Sequence, residues 1–238
     1  MKYGIAVPCL STVATQFMAS LVGMEKPIGS QIMIAESSLT YDARDTLGRQ
    51  AIELGCDRIL WLDSDMAFTP DLMNRLIVDM DKGYEFVTGL YMTRKHPIEP
   101  VIFKTLKINK DDQGYATTTI DRYYDYPDDE IFQVAACGFG VCMMTTDLFR
   151  RIAVKFGGSP FTPFMGMGED IAFCYRAGEV GAKLYCDSSI KAQHIGIRFY
   201  GDYDYRRKDD KHDGVKRKSQ DIKGIKEHSG QFGRGGDE

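Results

Sequence analysis

The sequence predicts an α/β protein whose sheet is mixed: mainly parallel in the N-terminal half, with helices on both faces, and extended by antiparallel strands in the C-terminal half. Over residues 3–92, short apolar runs alternate with segments of helical periodicity, an order typical of a helix-covered parallel sheet. After residue 100, strand-like segments are separated by polar turns such as NKDDQG, which favours antiparallel strands added to the same sheet. We expect one domain over residues 1–200 and a charged, partly flexible extension over residues 201–238.

Four strands and three helices are predicted in the first half. Ser11 or Thr12 is the expected N-cap of the first helix, and Gly55 suits the position just after the second. Thr69 followed by Pro70 predicts the start of the third helix. The predicted strands span residues 3–7, 31–36, 58–63 and 85–92, and the predicted helices span residues 11–24, 41–55 and 70–83.

The second half is predicted to hold more strands and one further helix. Apolar, β-branched segments predict strands, and the stretch EDIAFCYRAGEVG has the periodicity of a helix. The predicted strands cover residues 100–105, 115–120, 132–145 and 183–196, and the helix covers residues 169–181.

Composition is that of a globular protein, with 43% hydrophobic and 27% charged residues and a net charge of -4 that gives no reason to expect polyanion binding by the whole chain. The first ten residues contain only about six apolar residues before Pro8, too few for a secretory signal. No apolar run approaches the roughly 18 residues that span a bilayer. The six cysteines show no CxxC spacing, which favours reduced core thiols. These features predict a cytoplasmic protein without integral membrane contact.

Two aspartates, Asp63 and Asp65, end the predicted strand RILWLD. Residues i and i+2 of an extended chain point to one side, so both carboxylates can face one hard cation and its phosphate ligands. A solvated turn at the end of the strand is the alternative. Because ligands gather at the carboxyl ends of parallel strands, this position favours a metal or nucleotide site.

A second group of polar residues follows in the C-terminal half. Glu169 and Asp170 come after Gly168 and begin a predicted helix, and His194 lies 24 residues further on, after a strand-like run. Taken singly, acidic residues at a helix start complement the helix dipole, and a histidine is commonly a hydrogen-bonding residue. Their order after the D-x-D strand is more informative than any one of them.

In order, a strand ending in D-x-D, a later G-x-G-E-D that opens a helix, and an H-x-G after the next strand resemble the nucleotide-sugar glycosyltransferases of the GT-A fold. The resemblance is to the family 2-like group and its small phage and bacterial members. The stretches YDARDTLGRQAIELGCDRILWLDSDM and ACGFGVCMMTTDLF are similar to further segments of that group. The similarity covers residues 3–200 and implies a GT-A (Rossmann-like) mixed sheet and a hexosyl- or pentosyltransferase.

The resemblance also implies roles for individual residues. Asp63, Asp65 and His194 would bind Mn²⁺ or Mg²⁺ that bridges the diphosphate of a nucleoside-diphosphate sugar, with UDP expected as the nucleotide. Imidazole with carboxylate suits Mn²⁺ better than Mg²⁺. Asp170 would be the general base of a transfer that is favoured to be inverting, with Glu169 beside it in the acceptor pocket. Retaining enzymes of the fold share the D-x-D strand, so the stereochemistry stays open. The residues implied to border the donor are Pro8, Cys9, Leu10, Arg44 and Ser64.

Two features depart from the pattern or leave the acceptor open. The A-R-N segment of the family is Ala43-Arg44-Asp45 here, and a third carboxylate near a diphosphate would repel it, so the role of Asp45 stays open. Residues 206–226 hold nine Lys/Arg against four Asp, and the stretch RFYGDYDYRR, which overlaps their start, is rich in tyrosines that could stack on sugars or bases. The expected acceptor is a glycan, a protein or a modified DNA base, and the sequence leaves the oligomeric state open.

Three other functions fit parts of the sequence. Haloacid-dehalogenase-like phosphatases also place D-x-D after a strand, but their pattern has Thr or Val where Ala67 stands. A sugar nucleotidyltransferase needs a glycine-rich phosphate loop after the first strand, and PCLSTVAT is not one. A nucleotide- or carbohydrate-binding protein without turnover is expected to lack Asp170 or His194.

Overall fold

A computed structural model describes residues 1–94 and 96–196. The elements, in chain order, are β1 (Tyr3–Cys9), α1 (Thr15–Gly23), β2 (Gln31–Glu36), α2 (Thr40–Glu53), β3 (Arg58–Leu62), β4 (Met66–Ala67), α3 (Leu72–Asp81), β5 (Phe86–Leu90), β6 (Ile102–Lys110), β7 (Ala116–Arg122), β8 (Ile131–Val134), β9 (Ala136–Cys137), β10 (Val141–Thr145), α4 (Thr146–Phe156), α5 (Glu169–Glu179), β11 (Leu184–Lys191) and β12 (Gln193–His194). The predicted extension lies outside the described residues, so the proposed domain division stays a prediction.

Seven strands form the central sheet in the order β2-β1-β3-β10-β5-β11-β8. Strand β1 is parallel to β2 and β3, and β5 is parallel to β11, whereas β10 and β8 run antiparallel to their neighbours. The predicted mixed sheet is therefore confirmed. One part of the prediction is wrong, because β6 and β7 do not extend this sheet but pair with β9 in a separate three-stranded sheet.

Alternate side chains of β3 enter two different cores, so helices cover both faces of the sheet. Ile59 and Trp61 belong to one buried cluster, which α2, α4 and α5 also line. Leu60 and Leu62 belong to the other, which is completed by α1 and α3. This alternation is what an apolar strand with both faces buried produces.

Two predicted helix starts are wrong. Helix α1 begins at Thr15 after Ala14, not at a cap made by Ser11 or Thr12, because the Ala14 N–H bonds to the carbonyl of Ser64 (3.3 Å) and keeps this segment extended. Helix α3 begins at Leu72, so Thr69 does not cap it. The carbonyl of Pro70 instead accepts the Glu25 N–H at 2.8 Å, and the Thr69 hydroxyl bonds to the side chain of Asp71.

The end of α2 agrees with the prediction. Gly55 has φ 69°, in the left-handed region that glycine adopts without strain. Helix α4, whose start was implied only by the family resemblance, has the Thr145 side chain as its N-cap, which accepts the Leu148 N–H at 3.2 Å.

Two predicted long strands are each divided in the structure. Residues 132–145 form β8, β9 and β10, because β9 pairs with β6 outside the central sheet. Residues 183–196 form β11 and β12: the register with β5 shifts between Asp187 and Lys191, and His194 then pairs with Met66 of β4. The second division matters for function, because it brings His194 beside the D-x-D segment.

The cysteines and the membrane prediction can be compared with the described residues. All six cysteines lie within them as free thiols, five buried and Cys9 partly exposed. Across residues 1–94 and 96–196, no helix is long and apolar enough to cross a membrane.

Gly48 provides a test of how α2 and α4 pack. A Cβ at this position would lie 2.2 Å from the ring of Phe149, which is fully buried on α4. We expect Gly48→Ala to lower the free energy of unfolding by about 1–3 kcal/mol, although alanine is the better helix former. Gly178→Ala in α5 is the matched control, because among the described residues no atom outside its own helix backbone and chain neighbours lies within 4 Å of its added Cβ. Urea unfolding should show this control unchanged or more stable, and an equally stable Gly48→Ala protein would contradict the packing.

Candidate active site at the carboxyl edge of the sheet

The predicted site residues gather at one edge of the sheet, on strand ends, loops and the starts of helices. The parallel strands β1, β3, β5 and β11 end there, and the antiparallel β10 begins there. The loops that follow β1, β3 and β5, the glycines before β10 and the segment after β11 therefore meet at this edge. This is where open α/β sheets bind ligands.

The D-x-D segment is anchored through its backbone. The Asp63 N–H donates to the carbonyl of Gly140 at 3.0 Å, and the Ser64 carbonyl accepts the Ala14 N–H. The Asp65 carbonyl accepts the Ile195 N–H at 2.7 Å, beside the pairing of β12 with β4. Because three separate segments hold this backbone, the side chains of Asp63 and Asp65 start from fixed positions.

Asp65 and His194 are brought together across 129 residues of sequence. His194 Nε2 lies 3.2 Å from Asp65 Oδ2, and His194 Nδ1 lies 3.2 Å from the carbonyl of Met92. The hydrogen bond to Asp65 raises the pKa of His194 above its ordinary value, against the effect of burial. Burial alone would raise the pKa of Asp65, but His194 and Arg94 together bring it below its ordinary value.

The surroundings of His194 suit a cation. Both ring nitrogens face oxygen acceptors, so a neutral imidazole, with one N–H, would leave one nitrogen lone pair pointing at an oxygen. A proton or a metal ion between Nε2 and Asp65 removes that conflict, while the Met92 carbonyl holds Nδ1–H. A backbone carbonyl that fixes the far nitrogen is typical of metal-binding histidines. Asp65 and His194 are therefore two donors of the kind that the implied metal takes.

Asp63 has a different partner. Its Oδ1 lies 2.8 Å from Arg44 Nη2, so the structure does not direct both aspartates at one point. Burial raises the pKa of Asp63, with Arg44 acting against that rise. Within residues 1–94 and 96–196, no three carboxylate, imidazole or thiol groups are gathered closely enough to hold a metal ion. The implied trio is thus represented here by the pair of Asp65 and His194.

Arg44 lies in the interior rather than at the surface. Its side chain is 2% exposed, and its guanidinium carbon lies 5.1 Å from the ring centre of Phe139 and 5.8 Å from that of Phe161. Its Nε is 3.7 Å from Glu169 Oε1, and Nε and Nη1 have no hydrogen-bond partner among the described residues. Burial would lower the pKa of Arg44, but the charges of Asp63, Glu169 and other nearby groups raise it overall.

Glu169 and Asp170 occupy the first turn of α5, as predicted. Asp170 Oδ1 accepts the Ile171 N–H at 2.7 Å. Burial and the neighbouring charge of Glu169 raise the pKa of Asp170 to about 6. The same charges act between this helix start and Asp63, so the two acidic motifs share one electrostatic environment.

The residues expected to border the donor after β1 lie at the same edge. Pro8 is buried in the strand, Cys9 is partly exposed, and the side chain of Leu10 is 62% exposed. The Cys9 carbonyl accepts the Ser37 N–H at 3.1 Å. The segment therefore leaves the sheet with its backbone fixed and an apolar side chain facing outward.

The position of Asp45 answers the question raised by its departure from the family pattern. It is 6% exposed, and its Oδ1 accepts the Phe161 N–H at 3.2 Å. Burial raises the pKa of Asp45, opposed by this hydrogen bond and by Arg49. Asp45 therefore supports the loop that leads to α5.

Sequence reasoning missed two residues of the site. The Arg94 guanidinium contacts Asp65 Oδ2, and the hydroxyl of buried Tyr91 accepts the Gly140 N–H at 2.9 Å. A Cβ at Gly138 would lie 2.2 Å from that hydroxyl, which explains a glycine there. The sequence held a signal for both, because Tyr91 lies near the end of the predicted strand 85–92 and Arg94 follows that end by two residues.

Two surface hollows lie elsewhere, at the opposite edge. They have volumes of about 420 and 490 Å³, and neither contains a predicted site residue. The basic side chains that line the first are already paired with acids, including Arg151 with Glu85. The candidate active site is therefore at the carboxyl edge, where the predicted site residues lie, and not in these hollows.

No family model and no curated protein matches this sequence. Among solved structures, the chain is similar to A197 from STIV, with a TM-score of 0.60, 18% identity, and coverage of 83% of this chain and 87% of that one. It is also similar to GalNAc-T7 solved with UDP, GalNAc and Mn²⁺, with a TM-score of 0.56, 10% identity, and coverage of 83% of this chain and 43% of that one. The fold is GT-A. At these identities the similarity shows the fold alone, and the family 2 resemblance stays a prediction.

The raised pKa of Asp170 predicts how stability depends on pH. The pKa of Asp170 is 3.8 in the unfolded chain and about 6 in the folded protein. Between these two pH values the unfolded chain gives up the Asp170 proton while the folded protein keeps it. The free energy of unfolding therefore falls as pH rises through this range. In metal-free buffer, the free energy of unfolding of Asp170→Asn relative to the wild type should therefore rise by about 2 kcal/mol from about pH 4 to about pH 8. Urea unfolding at both pH values checks this, and an equal difference at the two would contradict it.

Proposed function

We propose that this protein is a metal-dependent glycosyltransferase that moves a sugar from a nucleoside-diphosphate sugar to an acceptor hydroxyl. The observation that carries the proposal is the meeting of Asp65 Oδ2 and His194 Nε2 at the carboxyl edge of the sheet. The GT-A fold supports it, because this edge carries both acidic motifs in the order that the resemblance implies.

Asp65 and His194 are the residues proposed to hold the metal, with Asp63 beside them. A carboxylate and an imidazole together suit Mn²⁺. When bound, the ion would neutralise charge on the departing diphosphate. Met92 supports this role for His194, because its carbonyl fixes the orientation of the ring.

Asp170 is proposed as the general base. A carboxylate with a pKa of about 6 takes up a proton more readily than an ordinary aspartate and is still mostly ionised near neutral pH. The Ile171 N–H holds Oδ1, which orients the group, and Oδ2 is the oxygen proposed to accept the proton of the acceptor hydroxyl. An inverting displacement is proposed, because it requires a base that deprotonates the acceptor hydroxyl.

The donor is proposed to be a UDP-sugar, and the transferred group a hexose or a pentose. The GalNAc-T7 structure that shares the fold was solved with UDP, GalNAc and Mn²⁺, which supports this choice. The residues proposed to border the donor are Pro8, Cys9, Leu10, Arg44 and Ser64. A glycan, a protein or a modified DNA base is proposed as acceptor; the basic segment 206–226 lies outside the described residues.

Nucleotide binding should require both the metal and Asp65. We expect UDP to raise the melting temperature when Mn²⁺ is present and to leave it unchanged in EDTA. Asp65→Ala should lose this shift, whereas Asp71→Ala, an exposed aspartate just after the same loop, should keep it. A shift of equal size in EDTA, or in Asp65→Ala, would contradict the proposed metal site.

Loss of the base should separate binding from turnover. Asp170→Asn should keep the Mn²⁺-dependent UDP shift and lose transfer by a factor of about 10²–10⁴, because a neutral amide cannot accept the proton. Release of UDP from UDP-sugars measures turnover. A variant with wild-type turnover would exclude Asp170 as the base.

A further inference from the structure

Two side chains, Arg94 and His194, share one carboxylate oxygen at this edge. Arg94 Nη1 contacts Asp65 Oδ2, the same oxygen that faces His194 Nε2. We propose that Arg94 is a removable cation, which neutralises Asp65 before metal binds and then turns to the diphosphate of the donor. This inference rests on the proposed function and assigns a regulatory and donor-binding role to a residue that the resemblance does not include.

Arg94 and a metal ion cannot both use this oxygen in the same way. A divalent ion between Asp65 Oδ2 and His194 Nε2 would lie beside the guanidinium that contacts the same oxygen, and the two cations repel each other at such short range. Metal binding therefore favours displacement of the Arg94 guanidinium. The order of events follows from this: metal binds first, and the released arginine is then available to an anion.

Exposure shows which of the two arginines at this edge can move. The side chain of Arg94 is 51% exposed, whereas that of Arg44 is 2% exposed and lies between aromatic rings. An exposed ion pair is weakly held, because water replaces the partner at little cost. Arg44 therefore stays with Asp63, and Arg94 is the one that exchanges.

The backbone that carries Arg94 is held in place, so the side chain turns about a fixed point. The Thr93 N–H donates to the Glu99 carbonyl at 2.8 Å, and the Glu99 N–H returns to the Thr93 hydroxyl at 3.1 Å. Glu99 is itself paired with Arg122 at 3.0 Å and accepts the Tyr124 hydroxyl at 2.6 Å. A guanidinium anchored here can move while remaining close to the metal site.

The excess negative charge at this edge favours a cationic side chain that can bind the donor phosphates. Four carboxylates, those of Asp63, Asp65, Glu169 and Asp170, share the edge with the guanidinium groups of Arg44 and Arg94. A donor diphosphate adds further negative charge, and a bound metal ion would offset only part of it. A guanidinium binds phosphate oxygens in a bidentate manner, so the released Arg94 is suited to the phosphates.

The test measures metal binding directly, without turnover. Mn²⁺ is titrated into the full chain without nucleotide, and free Mn²⁺ is followed by its electron paramagnetic resonance signal. Arg94→Ala should bind Mn²⁺ about two- to fivefold more tightly than the wild type, because the competing cation is gone. UDP, titrated at saturating Mn²⁺, should bind Arg94→Ala about tenfold more weakly.

Two further variants make the result specific. Arg94→Gln keeps most of the side-chain volume without the charge, and it should reproduce both shifts if Arg94→Ala folds poorly. Arg150→Ala, which removes another exposed arginine paired with an aspartate on α4, should leave both affinities unchanged. A larger change in Mn²⁺ affinity in Arg150→Ala would overturn the assignment to Arg94.

The outcomes separate this inference from the proposed function. If the wild type binds Mn²⁺ and UDP and both Arg94 variants match it, the exchange by Arg94 is wrong and the proposed function stands. If the wild type binds neither Mn²⁺ nor UDP, the proposed function itself fails. Looser Mn²⁺ binding in the Arg94 variants would also overturn the inference, because it would make Arg94 a support for the metal site and not a competitor.

Discussion

The guanidinium of Arg44 is the charge around which the site is organised. It is buried between Phe139 and Phe161, paired with Asp63 at 2.8 Å and close to Glu169. A buried cation is costly unless carboxylates accompany it, with an effective penalty of several kcal/mol. The loop after β3 and the start of α5 are therefore held at one point, although Asp63 and Glu169 lie 106 positions apart in the sequence.

The pairing of Arg44 with Asp63 gives the two aspartates of the D-x-D segment different roles. Asp63 is paired with the buried Arg44, whereas Asp65 faces the exposed Arg94 and the partly buried His194. In the proposed site, a metal ion would displace Arg94 and bind to His194. The negative charge that remains at the edge acts on Asp170, whose pKa is raised to about 6 by burial and by Glu169. One set of charges thus supports both proposed roles, metal binding at Asp65 and proton transfer at Asp170.

Much of this arrangement could be predicted from the sequence, because it depends on local patterns. The apolar runs predicted the strands, Gly55 the end of α2, and the Glu169-Asp170 pair the start of α5. The order of the acidic motifs and His194 predicted the edge where they meet.

What the sequence could not supply were partners distant along the chain. The pairing of Asp63 with Arg44, the bond of Asp45 to the Phe161 N–H, and the contact of Arg94 with Asp65 all depend on how loops approach one another. The predicted start of α1 was wrong for the same reason, because the hydrogen bond from the Ala14 N–H to the distant Ser64 carbonyl sets where the helix begins.

The central claim is that His194 and Asp65 hold a metal ion that carries the donor diphosphate. Pulsed electron paramagnetic resonance of the Mn²⁺–UDP complex tests it most directly, using protein in which only the histidine rings carry ¹⁵N. The account predicts a ¹⁵N coupling to Mn²⁺ in the wild type that disappears in His194→Ala. Bound Mn²⁺–UDP without any ¹⁵N coupling, or with a coupling that persists in His194→Ala, would contradict it.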